Sequence, residues 1–324
     1  MKKFIFLFLF GILMLVMSSG CSPESPIEDF EYEVNSEGTG VFITKYIGSD
    51  DHVVIPSKIN GLPVTSIGKS GAVKNSGAFQ HSNIREVVIP DSVMAIMPYS
   101  FSDCANLRQV LFGDNSKLVD MSSAFENCTA LKEIDLSTTK LKEVGACSFS
   151  GCASLREIQF PNTLLKIGEK AFYGCSSLLE VDLPENLTEI DSLAFDYCTS
   201  LKRVILPPNL NLIALDSPRF HNLPSLEQIV FEDGREAISG YAFFGITSNV
   251  KITIPASVEQ FNPLSILPKE GSEAKIEYLF LGDCPKIIDD TKYRGPLTIL
   301  YDPSTTGWTD FEWKDNYTVL PVQK

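Results

Sequence analysis

The stretch Leu164-Leu-Lys-Ile-Gly-Glu-Lys-Ala-Phe-Tyr-Gly-Cys-Ser-Ser-Leu-Leu-Glu-Val-Asp-Leu-Pro184 holds the plan of the chain in one copy. It joins two apolar segments of different rhythm. Leu164-Leu-Lys-Ile167 is an apolar-x-x-apolar step closed by Gly168. Leu178-Leu-Glu-Val-Asp-Leu-Pro184 sets Val181 and Leu183 two apart, the spacing of side chains on one face of a strand. Between them stand Ala171-Phe172 and, three residues after the phenylalanine, Cys175.

Working outward, both segments recur. The Leu-x-x-Val-x-Leu form begins at Ile84, Leu107, Leu131, Leu155, Leu178, Leu201 and Leu226, at spacings of 23, 24, 24, 23, 23 and 25 residues. Degenerate copies run Asn249–Pro255 and Ile276–Gly282. The apolar-x-x-apolar step returns at Val64–Ile67, Leu141–Val144, Leu187–Ile190, Leu210–Ile213 and Val258–Phe261. Phenylalanines stand at 79, 101, 125, 149, 172, 195, 220 and 243, five of the eight preceded by alanine. A period near 23 residues means a unit too small to bury its own apolar face, so units must stack into a solenoid with a continuous core. The reading is mainly β with little helix, in about nine coils of roughly 23 residues, or roughly 43 Å of stacked strands.

Cysteines follow five successive phenylalanines at the same offset: Cys104, Cys128, Cys152, Cys175 and Cys198. Parallel side chains one coil apart leave their Cβ atoms too far apart for a disulfide. The expectation is a ladder of buried small hydrophobes. No C-x-x-C spacing supports a metal site, and no metal or other cofactor is expected.

Before this body comes Lys2-Lys3, an uncharged run Phe4–Met17, then Ser18-Ser-Gly-Cys21. A basic start, a short apolar core and small residues make an export signal, and the core is short for a membrane span. Ser18–Cys21 resembles a lipobox, which makes Cys21 the lipidated first residue of the mature chain. Ser18 departs from the apolar residue usual there, as in relaxed boxes of Gram-negative gut and oral bacteria. Ser22–Asp29, with two prolines and three acids, reads as a solvated tether. The membrane contact expected is through this N-terminal lipid alone. The chain divides into signal peptide (1–20), tether (21–29), N-terminal cap (30–63), repeats (64–282) and C-terminal cap (283–324).

The full chain has 27 bases against 41 acids, a net charge of −14; without Lys2 and Lys3 it has 25 against 41, or −16. Such a balance argues against nucleic acid as a partner, since phosphate binding needs a basic footprint. Three scattered histidines (His52, His81, His221) and the lack of P-loop, G-x-S-x-G, H-E-x-x-H and G-x-G-x-x-G motifs leave no visible catalytic constellation. Acid pairs such as Glu133/Asp135 and Glu180/Asp182 allow a weaker alternative, a carbohydrate-active enzyme. Their recurrence coil after coil reads better as the exposed positions of a strand.

The unit 164–184 resembles the BspA-type leucine-rich repeat of bacterial surface proteins, and the resemblance runs from about Phe30 to Lys324. It implies a right-handed leucine-rich-repeat coil, exported and surface-exposed, and a role in binding or adhesion without catalysis. It supplies no fixed binding residues. The candidate ligand face is therefore the outward side of the Leu-x-x-Val-x-Leu strands: Leu111, Glu133, Asp135, Glu157, Glu180, Asp182, Ile205, Val230, Tyr278 and Phe280. The partner expected is a surface protein of a host or neighbouring cell. A glycan is the alternative, with Tyr278 and Phe280 as the only aromatic residues in those columns. The site expected for the lipid is the outer membrane of a Gram-negative bacterium.

Overall fold

The computed structural model describes residues 23–71, 74–211, 220–239, 243–262, 266–269, 271–288, 297–309 and 318–322. Cys21 and the signal segment lie outside the described residues. The chain forms a β-solenoid of about eleven turns. Among the described residues there is no α-helix, only a 3-10 turn at Ile27–Asp29. The count exceeds nine because segments at both ends join the ladders. Val41–Tyr46 and His52–Val54 already pair in parallel with the first repeat, and Leu297–Tyr301 and Thr318–Pro321 extend the sheet beyond Gly282.

Each coil contributes two strands. The longer one is the centre of Leu-x-x-Val-x-Leu, and successive copies pair in parallel and in register, as in Glu133–Asp135 with Glu157–Gln159. Seven such strands, from Glu180–Asp182 to Thr318–Pro321, form one sheet. The shorter strand is the apolar-x-x-apolar step, for example Glu143–Val144 beside Lys166–Ile167 beside Glu189–Ile190. Apolar side chains of both faces meet in one core. The tether is shorter than the sequence suggests: Ser25 N–H donates to Val54 O at 2.8 Å, and Glu24 Oε1 accepts from Ser57 N–H at 2.8 Å.

The phenylalanines form the spine. From Phe79 to Phe243 the eight rings stack coil on coil, with centroids 4.6 to 5.5 Å apart and planes within 21° of parallel. The coil pitch sets this spacing, and at such distances parallel rings are necessarily offset, the favourable arrangement for stacked aromatics. Tyr46 closes the N-terminal end of the stack at 5.1 Å from Phe79.

The cysteine ladder is polar as well as apolar. All five thiols are buried and unpaired. Each donates to the phenylalanine carbonyl of the preceding coil, Cys104 to Phe79, Cys128 to Phe101, Cys152 to Phe125, Cys175 to Phe149 and Cys198 to Phe172, at 3.0 to 3.2 Å. Burial pushes the Cys104 thiol up to about 11 and the Cys152 thiol up to about 12. Cysteine fits because it is small, buries readily, and still carries one donor for a carbonyl that faces no strand partner.

Around each phenylalanine the chain turns tightly by means of left-handed residues. One lies two before it (Tyr99, Ser123, Cys147, Lys170, Leu193) and one lies two after it (Asp103, Asn127, Gly151, Gly174, Tyr197, Asn222). This alternation aims every second N–H along the solenoid axis. Ser123, Phe125 and Asn127 thus donate to Ala146, Ser148 and Ser150 of the next coil at 2.7 to 2.9 Å. Glycine, asparagine and aspartate tolerate this conformation.

The C-terminal coils correct one expectation. Tyr278 and Phe280 are not on the outward face: they are 1% and 3% exposed. Ile252 pairs with Tyr278, and Ile254 with Phe280, so the last repeat starts at Lys275, not Ile276. A slip of one residue exchanges the two faces of a strand. Lys275 occupies the position that leucine holds elsewhere, which hides the register in the sequence. Both rings meet Phe261 edge-on at 5.1 and 5.3 Å, and Phe280 also meets Trp308 in a tilted contact at 5.0 Å, a terminal cluster beyond the end of the phenylalanine stack.

Candidate ligand face

On each long strand the central apolar residue points inward and its two neighbours point out. This alternation brings the outward residues of successive coils into columns about 4.8 Å apart. Glu133, Asp135, Glu157, Glu180 and Asp182 are all exposed. Glu133 pairs directly with Glu157, and Asp135 with Gln159. Like charges side by side repel, yet Glu133, Asp135, Glu157 and Asp182 have no ion-pair partner among the described residues. The basic row at the adjacent position does not neutralise them. Arg85 is turned to Asp51 at 3.3 Å and Lys202 to Glu227 at 3.1 Å. Only Glu180 is approached, by Arg203 at 3.8 Å.

Toward the C-terminus the fifth-position column turns aliphatic. Asp182 pairs with Ile205, Ile205 with Val230, Val230 with Thr253, Thr253 with Leu279, Leu279 with Leu300, and Leu300 with Leu320. Ile205, Val230, Leu279 and Leu300 are half-buried and Leu320 is exposed. Leu111, 38% exposed beside Val88, stands on the other side of the acids. Sequence reading missed Leu279, Leu300 and Leu320, which alignment to the parallel register would have found. It also missed Leu179, exposed in the basic row between Arg156 and Lys202. Two aromatics lie elsewhere: the half-buried Tyr173 and the exposed Tyr197 meet edge-to-face at 5.3 Å on the turns beside the phenylalanine spine.

This face is an extended, shallow surface, with fixed acidic charge in the middle and apolar side chains along one flank. The repeat profile described as BspA type leucine rich repeat region matches the chain in six copies, at residues 73–164, 121–217 and 213–265, more than half of its length. The chain belongs to the BspA-type leucine-rich-repeat family. No curated protein matches this BspA-type chain. Among solved structures it is similar to a leucine-rich repeat protein from Bacteroides ovatus, at 19% identity and TM-score 0.50, over 93% of this chain and 77% of that one. It is also similar to a leucine rich repeat protein of T. pallidum, at 26% identity and TM-score 0.45, over 76% of this chain and 91% of that one. A leucine rich cell surface protein from Faecalibacterium prausnitzii is a third, at 20% identity and TM-score 0.43, over 94% and 96%. The Bacteroides ovatus likeness is one of fold.

Proposed function

We propose that this BspA-type protein is an exported, lipid-anchored binding protein whose long-strand face docks a surface protein of a host or neighbouring cell. The observation that carries the reading is the set of exposed acids, all but Glu180 without an ion-pair partner among the described residues, running on into a column of aliphatic side chains that only Thr253 interrupts. A face serving solubility alone has no need to keep its charges unneutralised next to apolar side chains. Over such a face a few large apolar residues dominate affinity, while the acids set association rate and charge preference. The partner surface therefore presents bases next to an apolar ridge. Anchoring rests on Cys21: Cys21→Ala should move the protein from the membrane fraction to the soluble one. Retention in the membrane fraction would refute the anchor.

The binding test is a protein array probed with the purified protein, followed by variants against the captured ligand. Ile205→Ala with Leu279→Ala should weaken binding by more than about 1 kcal/mol. Glu157→Gln with Asp182→Asn should chiefly flatten the salt dependence. The face is excluded if both double variants bind like the parent while Lys142→Ala or Lys166→Ala, on the short-strand side, abolishes binding. Glycan capture is the second reading, and the exposed Tyr197 ring, set edge-to-face against the half-buried Tyr173, favours it. It predicts loss of glycan binding in Tyr173→Ala with Tyr197→Ala.

A further inference from the structure

The N-terminal end of the solenoid is crossed by one segment of chain. His52–Val54 is the outermost strand of the long-strand side, and Ser25 lies on its free edge. Ser25 N–H donates to Val54 O at 2.8 Å, and Val54 N–H donates to Ser25 Oγ at 3.0 Å. Beside it Ser57 N–H donates to Glu24 Oε1 at 2.8 Å. The chain then turns through Ile27–Asp29 and becomes Phe30–Val34, the outermost strand of the short-strand side, paired antiparallel with Val41–Tyr46. Residues 24–34 therefore run from one sheet edge to the other. Ile47 N–H donates to Asp29 O at 2.8 Å, which brings Ile47 beside the Ile27–Asp29 turn. Ile27 is 39% exposed and Ile47 52%.

This pinning decides how far the body can stand from an anchor at Cys21. Glu24 is three residues further on, and an extended chain spans about 3.5 Å per residue, so the reach is about 11 Å. A chain free as far as Asp29 would reach about 28 Å. Headgroups occupy about 5–8 Å on each side of the hydrocarbon core. A lipid on Cys21 sinks its chains into that core, so Glu24 and the end of the coil stand at or just above the headgroups. Orientation follows from charge and from the place of the pin. Lying on the long-strand face would press Glu133, Asp135, Glu157 and Asp182, which have no ion-pair partner among the described residues, onto the bilayer. Desolvating unpaired charge is unfavourable. Lying on the short-strand side would work against Ser25, which is fixed to the edge of the other sheet. Standing on its end, the body meets the bilayer with Ile27 and Ile47 instead.

We propose that residues 24–34 together with Ile47 form a seat for the membrane surface, on which the solenoid stands with its axis pointing away from the bilayer. The seat rests on the lipid-anchored reading of Cys21, and it stands whatever the long-strand face binds. It fits zwitterionic headgroups, because Glu28 and Glu31 are exposed and make no ion pair among the described residues. The strand columns then rise from the surface coil by coil. About eleven turns at about 4.8 Å carry the far end, with Leu320, about 50 Å up.

The test uses the full-length lipidated protein in vesicles of phosphatidylcholine and phosphatidylethanolamine, with a nitroxide on a fraction of the headgroups. Tryptophan is placed at the seat by Ile47→Trp, or about five coils higher by Leu165→Trp on the short-strand side and Leu179→Trp on the long-strand side. All three replaced side chains are exposed, so the fold should tolerate the changes. The parent, whose own tryptophans are Trp308 and Trp313, gives the baseline. Ile47→Trp should be quenched at least about threefold more than the other two, which stand about 24 Å higher. Glu24→Ala with Ser25→Pro removes all three hydrogen bonds of the pin. It should lower the quenching at Ile47→Trp and leave the protein on the vesicles; unchanged quenching would overturn the pin. Phosphatidylglycerol in place of the zwitterionic lipids should also lower it, and a rise would overturn the headgroup fit. Flotation separates this proposal from the one it rests on. A parent that does not float with the vesicles loses anchor and seat together. A parent that floats, with quenching equal at all three positions or strongest at Leu165→Trp or Leu179→Trp, keeps the anchor and overturns the seat.

Discussion

Raising the pH is a direct way to interrogate the cysteine ladder, and Cys152 is the cleanest rung. It is fully buried, and its S–H reaches Phe125 O at 3.2 Å. Burial holds the thiol neutral up to about 12. In the unfolded chain a cysteine ionises near 8.5. Between these values the folded chain keeps a proton that the unfolded chain releases. The stabilisation is therefore fully present below about pH 8.5 and is lost as the pH climbs toward 12, at about 1.4 kcal/mol per pH unit once the unfolded thiol is ionised. From pH 8 to pH 10 the loss through Cys152 alone comes to about 2 kcal/mol. The perturbation is Cys152→Ala, which removes the thiol at a cost of about 1–2 kcal/mol near pH 8, from the lost hydrogen bond and a small cavity. Urea unfolding of parent and variant, followed by circular dichroism in reducing buffer from pH 7.5 to 10, gives the gap between them. Other titrating groups are common to both chains and cancel in the difference. The gap should close by about 2 kcal/mol at pH 10. A gap that stays constant from pH 8 to 10 would show that the thiol is not held neutral, and the reasoning fails.

Further expectations concern the spine, the register and the turns. Phe149 lies between Phe125 at 5.5 Å and Phe172 at 5.4 Å with no exposed surface. Phe149→Ala should therefore cost about 3–5 kcal/mol in denaturant unfolding, and a loss below about 1 kcal/mol would contradict the stack. Tyr278→Ala should destabilise by a similar amount, whereas Leu279→Ala should change stability by about 1 kcal/mol or less; the reverse ranking would restore the alternative register. Gly151 has φ 75°, and an added Cβ would run into Asn127 Oδ1. Gly151→Ala should cost about 1–2 kcal/mol, and an unchanged melting temperature would mean the turn is not left-handed there.

The repeat, its period and its two apolar rhythms were legible in the residues alone, because a core shared by stacked coils demands the same residue type at the same place in every copy. Phe149, Phe172 and Phe195 are recognisable as a spine for that reason, and the cysteines as a buried ladder. So are the outward acids Glu133, Asp135, Glu157, Glu180 and Asp182, since a central apolar residue in a strand fixes the side of its neighbours. Where the repeat lost its leading leucine, at Lys275, the same logic misplaced Tyr278 and Phe280. Strand alternation is a parity, and only pairing with Val250–Ile254 decides which parity holds. Tertiary structure alone also decided what depends on contacts between coils. The cysteine thiols find the preceding phenylalanine carbonyls, and Arg85 and Lys202 of the second column pair with Asp51 and Glu227. Arg235 fills an aliphatic place with no ion-pair partner among the described residues, a departure that becomes visible only when the coils are stacked and its neighbours in space can be named. Sequence periodicity reports what each coil has in common, while hydrogen bonds and charge pairing are set by distances between residues some 23 positions apart, and those distances exist only once the chain is wound.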